Sequence, residues 1–201
     1  MITDTAANSF RKGLEKFITF SDAEWDLVKE HLGLIALKKK KHFTEAGKIC
    51  KDVGFVISGS VRYYHIKDGE EITNYFSFEN ELVSSYKSFL HQEPGITYLQ
   101  ALEDSLVVTI SFDNMQRMLA HPVLAYKMER MCRLIAEYYI CCYEDRVASF
   151  ITQTPEERYL ALLSTGRDIL QRMPQHYIAH FLGVTPVSLS RIRRRILAPA
   201  S

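Results

Sequence analysis

The sequence predicts an α+β chain: an N-terminal β jelly-roll barrel with flanking helices, a long helix, and a C-terminal helix-turn-helix without an evident wing. Three observations carry this. Between Leu34 and Ile110, short runs rich in β-branched and aromatic residues are punctuated by Gly47, Gly59, Asp68-Gly69 and Pro94-Gly95. After Pro122 a helical pattern runs to about Phe150. Near the end, two short helical patterns meet through Leu182-Gly183-Val184-Thr185, the spacing of a helix-turn-helix. The expected domains are residues 1–121 for the barrel, 122–151 for the connecting helix, and 152–201 for the helix-turn-helix.

Taken in order, residues 8–18 read as a short helix. Ser21 caps a second, with Glu24 completing a capping box and Trp25, Val28 and Leu32 forming its apolar stripe. The expected strands are Leu34–Phe43, Gly54–Ile57, Ser60–Ile66, Glu71–Phe76, Tyr98–Leu102 and Leu106–Ile110. Asp68-Gly69 is a strong hairpin signal because its backbone tolerates positive φ. No crossover helix separates these runs, which argues against a parallel sheet and for a sandwich or jelly-roll barrel. The four lysines from Lys38 to Lys41 mark the first strand as an exposed edge. Ser111 caps a short helix.

The long helix places Leu124, Met128, Met131, Ile135, Tyr138 and Cys142 at four- and three-residue intervals, nearly a coiled-coil seam. Its length, about 40 Å at 1.5 Å per residue, favours a parallel homodimer seam; a helix buried between the chain's own domains is the alternative. Asp145 and Arg146 interrupt the seam, so any coiled coil is short. Thr154, Pro155 and Glu157 open the next helix with a second capping box. Pro174 breaks the chain, Gln175–Leu182 is a compact helix, and Gly183 is its C′ residue. Thr185-Pro186 starts the last helix, which runs to about Leu197.

The net charge of +1 conceals an asymmetry: from Asp145 onward there are eight Arg against four Asp and Glu. From Ile169 onward there are five Arg and no Asp or Glu. Such a surface attracts a polyanion; a solubilising tail is the bland alternative. On the last helix, at about 100° per residue, Leu189, Ile192 and Ile196 share the packing side. Val187, Ser190, Arg191 and Arg194 share the opposite side, flanked by Arg193 and Arg195. That outward face suits a DNA major groove, with Arg191 contacting bases. Arg194, Arg195 and either the Ser188 amide or the Ser190 hydroxyl meet phosphates, with Thr185 at the helix start and Gln175 and His176 beside them.

At these residues the chain resembles the Crp/Fnr family of regulators. The resemblance covers about Leu14 to Ile196 and is most specific from Gln175 to Arg193. Thr154 to Tyr159, Thr-Pro-Glu-Glu-Arg-Tyr, is similar to the opening of the DNA-binding domain in a short branch common in Bacteroidetes. Gly54 to Arg62, followed by Asp68-Gly69, fits the family's glycine-punctuated barrel strands. The resemblance implies a dimeric DNA-binding transcription regulator with a cyclic-nucleotide-binding-like domain and an RNA polymerase contact. Of the family's recognition-helix pattern only Arg191 keeps a base-reading side chain; Val187 stands where a carboxylate is usual, and Pro186 precedes it.

The resemblance also implies a nucleotide site, from which this chain departs. Glu81 and Leu82 remain in Asn80-Glu81-Leu82-Val83, but both glycines are gone, and Glu93-Pro94-Gly95-Ile96 supplies no cation for a phosphate. Tyr143 and Glu144 fall where helix hydroxyls meet the purine in cAMP-binding members. No cAMP or cGMP binding is therefore expected. The remaining expectation is a vestigial pocket or one for an unidentified small ligand, at Glu81, Leu82, Tyr63, Tyr75, Tyr98 and Tyr143, unless Tyr63, Tyr75, Tyr86 and Tyr98 only fill the core. Cys50, Cys132, Cys141 and Cys142 lack the spacing of a cluster, zinc site or disulfide framework. His176 and His180 share a helix side without a third ligand. No metal or cofactor is expected, nor an enzyme, since phosphate-loop, nucleophile-elbow and HExxH motifs are missing. Without a signal peptide or apolar span, the chain reads as cytoplasmic. Because few residues follow Leu197, no β-hairpin wing is expected. Two other readings stay open: a ligand-sensing barrel whose helical tail binds another protein, and a basic tail that binds nucleic acid without sequence preference.

Overall fold

In a computed structural model, residues 2–197 are described. Helices α1 (Asp4–Leu14) and α2 (Asp22–Lys29) precede strands β1 (Gly33–Leu37), β2 (His42–Thr44), β3 (Asp52–Ser58), β4 (Val61–Lys67), β5 (Glu70–Ser77) and β6 (Leu82–Val83). Then follow α3 (Tyr86–His91), β7 (Tyr98–Ala101), β8 (Ser105–Ser111), α4 (Phe112–Ala120) and α5 (Ala125–Thr152). The chain ends in α6 (Pro155–Thr165), α7 (Arg167–Arg172), α8 (Gln175–Phe181) and α9 (Pro186–Leu197). The expectation of no wing falls beyond residue 197, outside the described residues.

The strands form two four-stranded sheets, ordered β1-β8-β3-β6 and β2-β7-β4-β5. β8 is antiparallel to both β1 and β3, pairing Thr109 with Gly33 on one side and Gly54 on the other. The sequence reading of one strand from Leu34 to Phe43 is corrected. Lys38–Lys41 forms a turn, closed by Lys41 N–H donating to Lys38 O at 2.9 Å, with Lys40 at φ 68°. Asp104 holds that turn by accepting from the Lys39 amide at 2.9 Å and the Lys38 ammonium at 2.7 Å. The lysines therefore separate an edge strand of one sheet from an edge strand of the other. The first helix is shifted too: Thr3 accepts from the Ala6 amide, so α1 starts well before residue 8.

By packing, the chain divides into two units, Met1–Tyr63 with Phe76–Tyr138, and Tyr64–Tyr75 with Tyr139–Ser201. In the first, Phe10, Trp25, Phe55, Val108, Met118, Leu124, Met128 and Met131 share one buried cluster. This corrects the expected dimer seam, because Leu124 and Met128 are fully buried and Met131 nearly so. The first half of that stripe packs within the first unit. The helix also begins at Ala125, after a turn in which His121 Nδ1 accepts from the Val123 amide. Further along α5 the exposed large apolar residues are Tyr138, Ile140, Tyr143, Val147, Phe150 and Ile151, among which Ile140, Val147 and Ile151 form a stripe of their own.

Within the first unit, Glu24 joins the capping box of α2 to α5. It accepts from the Ser21 amide at 2.7 Å and from the Lys127 ammonium at 2.6 Å. The lysine bond first, and the amide second, hold the Glu24 carboxyl at about 2 against an ordinary 4.5. A carboxyl depressed by folding contributes stability that is present above its unfolded pKa and lost as pH falls through its folded one. Urea unfolding at stepped pH should therefore show a loss between about pH 4.5 and pH 2 that is shallower in Glu24→Gln; equal slopes would contradict the bridge.

Candidate nucleic-acid interface

The C-terminal helices belong to the second unit. α6 starts with the expected capping box: the Thr154 hydroxyl accepts from the Glu157 amide, and the Glu157 carboxylate accepts from the Thr154 amide at 2.7 Å. α7 was not foreseen; Gly166 ends α6 and opens this extra turn before Pro174. α8 buries Ile178 and Ala179, and Leu182 follows them inward.

The turn after α8 follows from counting carbonyls, since the last four of any helix lack partners within it. Gly183 has φ 72°, the left-handed conformation that glycine adopts without a Cβ penalty. Its amide donates to His180 O at 2.9 Å, and the Val184 amide donates to Ala179 O at 2.9 Å, the Schellman pattern. Two carbonyls are left, Phe181 O and Leu182 O, and an arginine meets each one. Arg146 of α5 donates from Nη2 to Phe181 O at 2.9 Å. Arg158 of α6 donates from Nε and Nη2 to Leu182 O at 3.1 and 3.0 Å. Both guanidinium groups lie over the Phe150 ring, at 5.0 and 4.6 Å from its centre, and Arg146 also lies 4.1 Å over Phe181. Burial pulls the Arg146 pKa below its ordinary value. Cations at a helix C-terminus are favourable because they oppose the exposed carbonyl dipoles. Gly183 has a second reason to lack a side chain: a Cβ there would stand 2.6 Å from the Phe150 ring.

This turn delivers α9. The Thr185 hydroxyl accepts from the Ser188 amide at 3.2 Å and lies 3.0 Å from the Ser188 hydroxyl. Leu189 and Ile192 are buried and Ile196 is half-buried, so the aliphatic side packs inward as the periodicity predicts. Val187, Ser190, Arg191, Arg194 and Arg195 are exposed. The Ser188 amide is given to Thr185 in this structure, and Ser190 is the serine that faces out. Arg195 pairs with Glu156 at 2.9 Å, and Arg193 donates to the Gln175 side chain. His176 is exposed, its ring centre 4.1 Å from that of Tyr177. The basic run Arg193–Arg195 is thus partly engaged within the unit, while Arg191 and Arg194 stand open.

The residues expected at a vestigial pocket fall into separate settings. The buried Tyr63 hydroxyl lies 3.1 Å from the Ser77 hydroxyl and donates to Leu82 O at 3.3 Å. Glu81 closes a turn by accepting from the Phe78 amide at 2.9 Å. Tyr98 lies beside His42, whereas Tyr75 lies beside Tyr143 in the second unit. Among the described residues, no group of three or more His, Cys, Asp or Glu could hold a metal ion, and no helix is long and apolar enough to cross a membrane. Sequence reasoning missed Phe150, Arg158 and above all Arg146, which it read only as a break in the seam. A cation inside an otherwise apolar helix stripe was the available signal.

Residues 34–121 match the family model described as the cyclic nucleotide-binding domain. That match spans both sheets and stops at the end of α4. None of the curated proteins matches the chain significantly. Among solved structures, the global regulator CLP of Xanthomonas campestris, described as responsive to c-di-GMP, is similar at 15% identity. It covers 83% of this chain and 87% of its own, with a TM-score of 0.65. The catabolite activator protein of Thermus thermophilus is 17% identical over 93% of this chain and 91% of its own, with a TM-score of 0.56. A CooA mutant from Carboxydothermus hydrogenoformans is 16% identical over 98% and 86%, with a TM-score of 0.61. The chain therefore shares its fold with these proteins.

The geometry of the turn sets one expectation. Gly183→Ala forces a Cβ into a left-handed residue and against Phe150, and should cost about 1–3 kcal/mol in urea unfolding. An unchanged midpoint would contradict the turn described.

Proposed function

We propose that this protein is a non-enzymatic, sequence-specific transcription regulator that binds duplex DNA as a homodimer. One observation carries the reading: α9 is held by buried Leu189 and Ile192 while Arg191, Arg194, Ser190 and Val187 are exposed on its other side. Arg191 donates a bidentate pair to a guanine edge, the Val187 methyls meet a thymine methyl, and Arg194 and Ser190 meet phosphates. Arg195 joins them only by leaving Glu156. Thr185, Gln175 and His176 lie at the periphery of this face. The functional partition is the domain of residues 1–121, the connecting helix 122–151, and the DNA-binding domain 152–201, in a cytoplasmic protein of the Crp/Fnr type and its short Bacteroidetes-like branch.

The dimer uses the exposed α5 stripe, Ile140, Val147 and Ile151, rather than the residues that pack on the first unit. Two α9 helices about 34 Å apart then read a palindrome, and RNA polymerase is the further partner. A small effector other than cAMP acts on the first domain. The residues do not fit a cyclic nucleotide: the Glu81 carboxylate is engaged in its own turn, and the segment Glu93–Ile96 brings no arginine or lysine to a phosphate.

Selection of bound duplexes from a random pool with the purified protein tests this reading. A palindromic sequence should emerge, and Arg191→Ala should weaken binding to it by about 1–3 kcal/mol, roughly five- to 150-fold, and relax preference at one base per half-site. Equal binding to random duplex by the unaltered protein would refute it and favour contact with nucleic acid through charge alone.

A further inference from the structure

The Arg146 nitrogen that caps α8 carries two hydrogens, and the second also reaches a carbonyl. Nη2 donates to Asn74 O of β5 at 2.9 Å, the same length as its bond to Phe181 O. Asn74 lies in the hairpin segment Tyr64–Tyr75, which belongs to the same unit as α8 and α9. Arg158 performs the other half of the capping from α6, inside the helical domain, and its remaining nitrogen reaches Gln153 O at 2.6 Å. Only Arg146 of this pair connects the turn to a β-strand.

The neighbourhood of this joint is unusual in a second way. Thr73 Oγ1, Asn74 Oδ1 and His180 Nδ1 are buried with no hydrogen-bond partner among the described residues. Thr73 and Asn74 carry or adjoin one of the carbonyls that Arg146 holds, and His180 adjoins the other. Buried polar groups are nearly always satisfied, and leaving one unmet is unfavourable. At Arg146 itself, two charge-assisted bonds and two ring contacts hold the guanidinium in place.

We propose that Arg146 is a positioning residue for DNA recognition: it references the turn between α8 and α9 to the β4–β5 hairpin, so that the hairpin's placement biases how α9 is presented. This rests on the reading of α9 as the DNA-contacting helix. Arg158 preserves the shape of the turn, and Arg146 determines what the turn is fixed to. Because β4 and β5 continue into the sheet of the first domain, a change in those strands has a covalent route to Asn74 and from there to Phe181 O.

Hydrogen exchange on the full-length protein, read by mass spectrometry, tests the joint without DNA. Arg146→Ala should raise exchange about tenfold at both residues 70–77 and residues 178–189, leaving β3 and β8 unchanged. Arg146→Lys keeps the charge but not the flat group over Phe181, and should show the same paired rise at about a third of the size. A merely local cap would loosen residues 178–189 alone; that result in either variant, or no rise at either segment, overturns the proposal. With the duplex selected from the random pool, Arg146→Ala should bind about tenfold more weakly while low-salt binding to random duplex stays within twofold; equal weakening on both duplexes also overturns it. Should the unaltered protein select no duplex, the reading of α9 fails, and the exchange result still decides whether Arg146 couples hairpin and turn.

Discussion

The end of α8 is the constraint on which the rest of the C-terminal structure depends. Four carbonyls must be met there, and the chain meets two with its own amides and two with arginines stacked on Phe150. That settlement needs glycine at 183, both for its positive φ and for its approach to the ring. Once the turn is determined, the direction in which α9 leaves it follows. Leu189 and Ile192 find the interior, and the polar face of α9 is left to solvent. That exposed face is a consequence of how a helix ends.

The arginines of this region divide by surroundings more than by sequence. Arg146 and Arg158 are half-buried and spend their donors on backbone carbonyls, where a short point-charge side chain could not lie flat between rings. Arg193 and Arg195 are tied to Gln175 and Glu156 at the surface. Arg191 and Arg194 are exposed. A surplus of positive charge counted along the chain therefore overstates what an approaching polyanion meets and understates how much of that charge organises the protein itself.

Much of this was legible in local chemistry. Both capping boxes, at Ser21 with Glu24 and at Thr154 with Glu157, are where short-range spacing puts them. Gly183 ends α8, and periodicity alone assigns the buried side of α9. What failed was whatever depends on distant partners. The stripe Leu124, Met128 and Met131 reads equally well as a seam for a second chain or for the chain's own core, and α1, α2 and α4 claim it. The lysine turn depends on Asp104, far away in sequence, which holds both Lys38 and Lys39. β6 and α3 are too short to show a period. Arg146 looked like an interruption because its partners, Asn74 and Phe181, are separated from it by 72 and 35 residues.

Arginine-selective modification with phenylglyoxal, followed by mass spectrometry with and without the selected duplex, measures the division of the arginines directly. Arg191 and Arg194 should react fastest in the free protein and become protected when duplex is added, while Arg146 and Arg158 stay slow in both conditions. If Arg146 and Arg158 react as fast as Arg191, the platform beneath the turn does not exist as described; if duplex leaves Arg191 and Arg194 unprotected, α9 is not the surface that meets DNA.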